Sequence, residues 1–372
     1  MSEKKYIFSF FLYLGVLLLL VAAFDRVVDP FWYYRDISIH GFNEIKPKFR
    51  RYERHVKPAI LEREQPGAVI FGSSYSEIGF DPSRLADLTG DKAYNFALAG
   101  AGWDMVYCDV QYALKYDHHL RWIVLGIHPQ SMPVQDCNLP EMHHPDLVSF
   151  LLSTDALKAS LETVLEQAKS KPSHTAQGLY FYTRGLSGTE ARFREYLPAH
   201  APCSLNHPAE NPDRNPDLTG LRNILREAAR RKIGVKLVVY PRHAIPVELE
   251  YLCKARQARW EVLSVVASLV EAESGKNDRI QLWDFEGFHP ISLEKISNAP
   301  AVYWQDPAHF NFEYGNLMLD EMFGKSAPEY GYRLTTEDIP VREQAERIAR
   351  EQYLKLHPEF DKKVESLSRT NP

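Results

Sequence analysis

The chain has 372 residues, of which 45% are apolar and 25% charged, enough to bury a large core and without the compositional marks of disorder. A formal net charge of -5 leaves no electrostatic footprint for nucleic acid, and the basic run Lys46 to Arg54 is diluted by Glu53, so DNA and RNA are set aside as partners. Ile7 to Phe24 is an uncharged apolar run preceded by Lys4 and Lys5, close to the length that crosses a bilayer as a helix. It predicts a cytoplasmic tail (1–6), a transmembrane anchor (7–24) and an extracytoplasmic remainder. Val21-Ala22-Ala23 would suit a signal peptidase, which keeps a cleaved signal peptide as the competing reading. The run is longer than most signal-peptide cores, which favours the anchor. Residues 25–66, aromatic-rich from Phe31 to Tyr34 and poor in Gly and Ser, read as a juxtamembrane segment rather than a flexible linker.

Short apolar runs follow at Ala68–Phe71, Ala93–Leu98, Trp122–Ile127, Val235–Tyr240 and Ile280–Phe285, and their β-branched and aromatic content predicts buried strands. Between them, Trp103–Tyr116, Leu218–Lys232 and Val247–Glu273 carry helical spacing. This alternation predicts an α/β domain over 67–330 with a mostly parallel sheet covered on both faces, a three-layer α/β/α arrangement. Residues 131–215 interrupt it with His-Pro and Asn-Pro punctuation and a helical stretch, Pro145–Gln167, and read as an inserted helical subdomain of the kind that shapes substrate sites. A closing helix is expected over Asn311–Phe323, then a helical extension (331–372) containing Val341–Leu356. Cys108, Cys137, Cys203 and Cys253 have no CxxC spacing. They encode neither a zinc site nor a thioredoxin motif, and free thiols and disulfides both remain open.

Gly72-Ser73-Ser74 directly follows the first predicted strand, where a serine would face the crevice that open α/β folds use for ligands. Ser74 is the candidate nucleophile, against the plain reading of a turn or helix cap. Asp306-Pro307-Ala308-His309 lies just before the closing helix. A serine hydroxyl needs a base to become nucleophilic, and an imidazole base needs a carboxylate to fix its tautomer. His309 and Asp306 can supply both.

A strand leading into Gly-x-Ser near the domain start, with Asp-x-x-His before the last helix, resembles the layout of the SGNH/GDSL hydrolase superfamily, whose sheet is flavodoxin-like. Gly72-Ser73-Ser74 is similar to its first block, with Ser73 in place of the aspartate. Asn95-Phe96-Ala97-Leu98-Ala99-Gly100-Ala101 is similar to the second. The resemblance implies a Ser74-His309-Asp306 triad and an oxyanion hole formed by the backbone N–H groups of Ser74 and Gly100. The third block departs from the family. The strand ends Gly126-Ile127-His128-Pro129-Gln130 where the superfamily presents an asparagine as a further oxyanion donor, and losing one such donor costs on the order of 10²–10³ in rate.

The Gly-Ser-Ser variant and the anchor resemble envelope-polymer acyl-modifying members of the superfamily, the teichoic-acid D-alanylation and alginate acetylation types. That resemblance implies a bacterial, membrane-anchored extracytoplasmic serine esterase or O-acyltransferase acting on acyl, foremost acetyl, esters of an envelope polysaccharide or other acylated glycan. It needs no cofactor and works beside a membrane acyl-exporting partner. The rival is a non-catalytic glycan-binding or assembly protein that keeps the fold without efficient chemistry. His128, Arg242 and His243 are secondary candidates for substrate contact at the same sheet edge. His143-His144-Pro145-Asp146 lacks metal-ligand spacing, so no metal is expected.

Overall fold

The computed structural model describes residues 3–139, 150–181, 188–200, 214–275 and 278–368. The chain divides into two compact units, Met1–Glu64 with Asn138–Ala176, and Gln65–Cys137 with Gln177–Pro372. The expected insertion 131–215 is therefore split between them. Residues 138–176 group with the N-terminal segment, and the helical extension after 331 belongs to the sheet-containing unit.

In the first unit, α1 (Glu3–Val28) has an apolar span long enough to cross a membrane. Its last turns pack on α6 (Thr154–Glu166), which accounts for the burial of Asp25 and Val28. The backbone then turns at Asp29, whose carboxylate accepts the N–H groups of Tyr33, Tyr34 and Arg35. It re-enters a helix at α2 (Phe49–Glu64), within the stretch expected to be a juxtamembrane segment.

In the second unit, a six-stranded sheet runs in the order β2-β1-β3-β4-β5-β6. The strands are β1 (Ala68–Phe71), β2 (Ala93–Asn95), β3 (Trp122–Ile127), β4 (Gly234–Val239), β5 (Ile280–Asp284) and β6 (Tyr332–Leu334). The first five pair in parallel and β6 runs antiparallel to β5. The apolar runs that predicted β1, β3 and β4 are buried along nearly their whole length, as strands covered on both faces must be. Because β1 connects to β2 on one side while β3 connects to β4 on the other, the carboxyl ends of β1 and β3 border a topological switch point where α/β sheets bind ligands.

Two helix groups pack against this sheet. One comprises α5 (Trp103–Tyr116), α8 (Thr219–Arg230) and α10 (Arg256–Ser274), which contact one another and β1, β4 and β5. The other comprises α3 (Ser74–Gly79), α4 (Pro82–Thr89) and α11 (Phe312–Met322), in contact with one another or with β1 and β2. Its core includes Phe80, Phe310, Tyr314 and Met318. Here Gly315 lies so close to the Gly79 carbonyl that a Cβ would collide with it, which explains a glycine inside α11 despite its helix cost. The expected long helix from Val247 is two helices, α9 (Ala244–Leu252) and α10, broken where Lys254 adopts φ +59°. Helices α7 (Thr189–His200) and α13 (Phe360–Ser368) close a satellite core on α9.

A buried charge network fastens α12 (Asp338–Leu356) to this unit. Arg256 pairs with Glu250, Glu286 and Glu346, Arg259 with Asp284 and Glu286, and Arg342 with Asp284. Buried ions of one sign demand partners of the other, and four arginines, counting Arg242, here face four carboxylates. Cys108 and Cys137 form a disulfide and Cys253 is also disulfide-bonded. Cys203 and the His143–Asp146 stretch lie outside the described residues.

Candidate active site

β1 ends at Phe71, and the chain reverses through Gly72 (φ +141°) into α3, whose first residue is Ser74. Only glycine suits that backbone, and a Cβ would also run into the Tyr240 hydroxyl. Tyr240, one residue past β4, is 4% exposed. Its hydroxyl accepts the Ser73 N–H at 3.0 Å and bonds the Ser76 Oγ at 2.8 Å. Its ring fills the space left by Gly126 in β3. The turn that presents Ser74 is thus held from below by one phenol.

Asn95 holds it from the side. Its amide donates to the Ser76 and Phe80 carbonyls at 2.9 Å, and its Oδ1 accepts the Ala97 N–H at 3.1 Å. The Leu98 N–H donates to the Gly72 carbonyl at 3.1 Å, fastening the loop after β2 to the same turn. That loop carries Gly100 at φ +72°. Among the described residues, the N–H groups of Ser74 and Gly100 donate to no protein acceptor.

Ser74 Oγ lies 2.8 Å from His309 Nε2, and His309 Nδ1 lies 2.9 and 3.0 Å from the two oxygens of Asp306. The Asp306 side chain is fully buried and that of His309 is 11% exposed. Burial alone would raise the Asp306 pKa, but the hydrogen bonds from the His309 ring and from the Ala308 and His309 N–H groups bring it below the usual carboxylate range. An ionised carboxylate can only accept, so Nδ1 carries the hydrogen and the Nε2 lone pair faces the serine.

Sequence reasoning did not anticipate the aromatic wall around these groups. Tyr75 stacks on His309 (centroids 4.5 Å) and on Tyr240 (4.7 Å), and its hydroxyl meets that of Tyr196 at 3.4 Å. The only sequence signal was a tyrosine directly after the candidate serine. His128 sits at the end of β3 with its ring 4.9 Å from both Tyr75 and Tyr240. Burial, then the nearby charges of Arg242 and His309, push its pKa down to about 4, so it is neutral at pH 7. Beside it a cavity of about 40 Å³ is lined by Ser73, Ala101, Gly102, Trp103, Ile127 and His128 among others. The buried Ser73 Oγ has no partner among the described residues.

The other two expected contacts are differently employed. The Arg242 guanidinium donates to both oxygens of Glu286 and of Glu250 at 2.7–3.0 Å, so it is committed to the charge network. His243 is 2% exposed. Its Nε2 donates to the Glu294 carbonyl at 2.9 Å and its Nδ1 accepts the Ile245 N–H at 3.2 Å, capping α9. Both ring nitrogens are used internally, and burial, its largest influence, pushes the pKa down to about 4. The sequence matches no protein-family model and no curated protein.

Proposed function

We propose that this chain is a membrane-anchored, extracytoplasmic serine esterase or O-acyltransferase of the SGNH/GDSL type, acting on acyl, foremost acetyl, esters of an envelope polysaccharide. The observation that carries the reading is the unbroken hydrogen-bonded chain from Asp306 through His309 to Ser74 Oγ. The parallel sheet, with Ser74 beyond the carboxyl end of β1, and the two helix groups support a three-layer SGNH-like arrangement. The span of α1, continuous through Val21-Ala22-Ala23, supports retention as an anchor.

In this mechanism Ser74 Oγ attacks the ester carbonyl carbon while His309 Nε2 takes its proton, and Asp306 stabilises the resulting imidazolium. The oxyanion is met by the N–H groups of Ser74 and Gly100, which have no competing acceptor among the described residues. Collapse of the tetrahedral species expels the alcohol, which leaves with the proton from His309. Water or a sugar hydroxyl then attacks the acyl carbon as His309 takes its proton, and the C–O bond to Ser74 breaks as His309 returns that proton to Ser74 Oγ. Tyr75, stacked on the His309 ring, limits its rotation and shields it from solvent, which favours a bound acceptor over bulk water. A membrane acyl-exporting protein would supply the acyl donor for transfer.

The alternative, a non-catalytic glycan-binding or assembly protein, draws on the absence of an asparagine after β3, where His128 stands. Against it, ordering three polar side chains into one half-buried chain is costly for a protein that does no chemistry with them. Reaction with a serine-directed phosphonate, followed by peptide mapping, tests the proposal. A single adduct on Ser74, lost in His309→Ala, is expected; an unlabelled Ser74 would favour the non-catalytic reading.

A further inference from the structure

The helical period divides the surface of α6 into three flanks. Ala156, Ala159, Ser160 and Thr163 are buried, and the helix packs on the last turns of α1. Asp155, Glu162 and Glu166 form an acid flank directed at α2. Lys48, one residue before that helix, lies 3.4 Å from the carboxylates of both Glu162 and Glu166, and Asp155 lies beside Tyr52. The third flank is apolar. Leu157, Leu161, Val164 and Leu165 recur at helical spacing, about 130° round the helix from the acids. Leu161 and Leu165 are 49% and 76% exposed. Single exposed leucines are ordinary, but four aliphatic side chains on one flank of a 13-residue helix make a patch that marks an interaction surface.

The same unit fixes where this flank stands relative to the span. α1 is exposed at Leu19 and Leu20 and buried at Asp25 and Val28, so α6 crosses it where the apolar run ends. Beyond that point the chain is tied to the carboxyl end of α1. Asn43 Nδ2 donates to the Val27 carbonyl at 2.7 Å and Lys46 Nζ to the Val28 carbonyl at 2.7 Å. The approach to α2, and with it the acid flank of α6, therefore lies past the outer end of α1. The leucine flank is turned the other way, back toward the exposed apolar surface of the span. A helix seated across the end of a span, acids away from the bilayer and leucines toward it, has the segregation of a helix that lies in a membrane interface.

We propose that the flank of Leu157, Leu161, Val164 and Leu165 rests on lipid, in the boundary between headgroups and acyl chains of the leaflet surrounding the outer end of α1. The proposal rests on α1 being retained as an anchor and is independent of the chemistry at Ser74. Lipid suits the flank better than a protein does. It continues the apolar surface of α1, and it offers aliphatic side chains without the aromatic or arginine anchors that dominate protein–protein hot spots. Lys158, exposed at the margin of the flank, can reach the phosphate level while its stem stays among the acyl chains. This second attachment holds the unit of residues 1–64 and 138–176 against the bilayer instead of letting it pivot on one helix.

The test is electron paramagnetic resonance of the full-length chain in vesicles of phosphatidylglycerol and phosphatidylcholine, with one nitroxide at a time on Leu161→Cys, Leu165→Cys, Asp155→Cys or Leu17→Cys. The described residues include no free cysteine, so the introduced thiol takes the label. Collision with oxygen, which concentrates in hydrocarbon, is compared with collision with a water-soluble nickel chelate. Labels at 161 and 165 should report a depth of about 5–10 Å below the headgroup boundary, the label at 155 water, and the label at 17 the hydrocarbon core. Water at 161 and 165 with hydrocarbon at 17 would overturn the proposal and leave the anchor standing, whereas water at 17 would overturn both. Hydrocarbon at 155 as well would overturn the assignment of the flank. Shielding of 161 and 165 from both reagents would mean a protein contact, with a second copy where it weakens on dilution into lipid, and would equally overturn the proposal.

Discussion

Replacing Tyr240 by Phe removes one oxygen and leaves every ring contact in place, so it isolates the phenol that holds the Ser74 turn. The hydroxyl accepts the Ser73 N–H at 3.0 Å and bonds Ser76 Oγ at 2.8 Å. Both partners are largely or fully buried, at 9% and 0% exposure, so water cannot substitute. A buried N–H left without an acceptor costs about 1–3 kcal/mol and the lost hydroxyl bond about 1 kcal/mol, for a total of about 2–4 kcal/mol. The ring still fills the gap at Gly126, and only the one-oxygen space beside Gly72 that the hydroxyl occupied is opened, so no large cavity term is added. The turn is then free to shift, and a nucleophile misplaced by about 1 Å loses on the order of 10² in rate. Urea unfolding and initial rates of aryl acetate hydrolysis, both on the full chain, measure the two effects. Ser76→Ala is the internal control. It removes one bond but leaves the Ser73 N–H satisfied, so about 1 kcal/mol and little loss of rate are expected. Wild-type stability for Tyr240→Phe, or the same loss for both variants, would refute the role assigned to the phenol.

Other perturbations have defined outcomes. His128, His243 and His289 are each held neutral with a pKa near 4, burial being the first cause. The unfolded chain therefore binds more protons between pH 6.5 and 4, and stability should fall as pH drops through that window, by up to about 1.4 kcal/mol per pH unit for each histidine. Asp117, pushed up to about 6 by burial, and Asp29 and Glu248, also raised by burial, act in the opposite sense, while the lowered carboxyls of Glu250, Glu286 and Asp306 add to the loss toward the acid end. Urea midpoints across pH 4–7 measure the slope, and a flat profile would contradict the burial argument. Removing the Cys108–Cys137 bridge with Cys108→Ser/Cys137→Ser opens a loop with sequence separation 29, worth about 3–4 kcal/mol in the chain-entropy account, and the melting temperature of that variant without reductant should fall accordingly. Glu286→Gln leaves Arg242 and Arg256 short of charge partners in a buried network and should cost about 3–5 kcal/mol by the same unfolding assay.

Residues whose role follows from local pattern were legible in the sequence. The continuous apolar runs of β1 and β3 identify buried strands, and their carboxyl ends locate the turn that carries Ser74 and the position of His128. Where strand geometry gives way to irregular bonding, the pattern overshoots. Phe96 and Leu98 look like strand residues, yet their N–H groups go to the Ile70 and Gly72 carbonyls beyond the end of β2. β6 is short and half exposed, so it leaves no periodic trace. Glu53 shows a different limit: a linear charge run treats neighbours as one surface, whereas the helical period sends residue 53 inward while 50, 51 and 54 stay out. The stacking of Tyr75 on His309, the hold of Tyr240 on Ser73 and the capture of Arg242 by Glu250 and Glu286 join segments separated in the chain. No local pattern encodes them.

The central claim is that Ser74, His309 and Asp306 act as one catalytic chain. The most direct measurement is steady-state hydrolysis of a short-chain aryl acetate by the full-length chain, beside Ser74→Ala, His309→Ala and Asp306→Asn. The account predicts turnover by wild type, loss of at least about 10³-fold in kcat for each of the first two variants, and a comparable or somewhat smaller loss for the third. Turnover that survives Ser74→Ala, or a wild-type protein that releases no alcohol from any small ester, would contradict it.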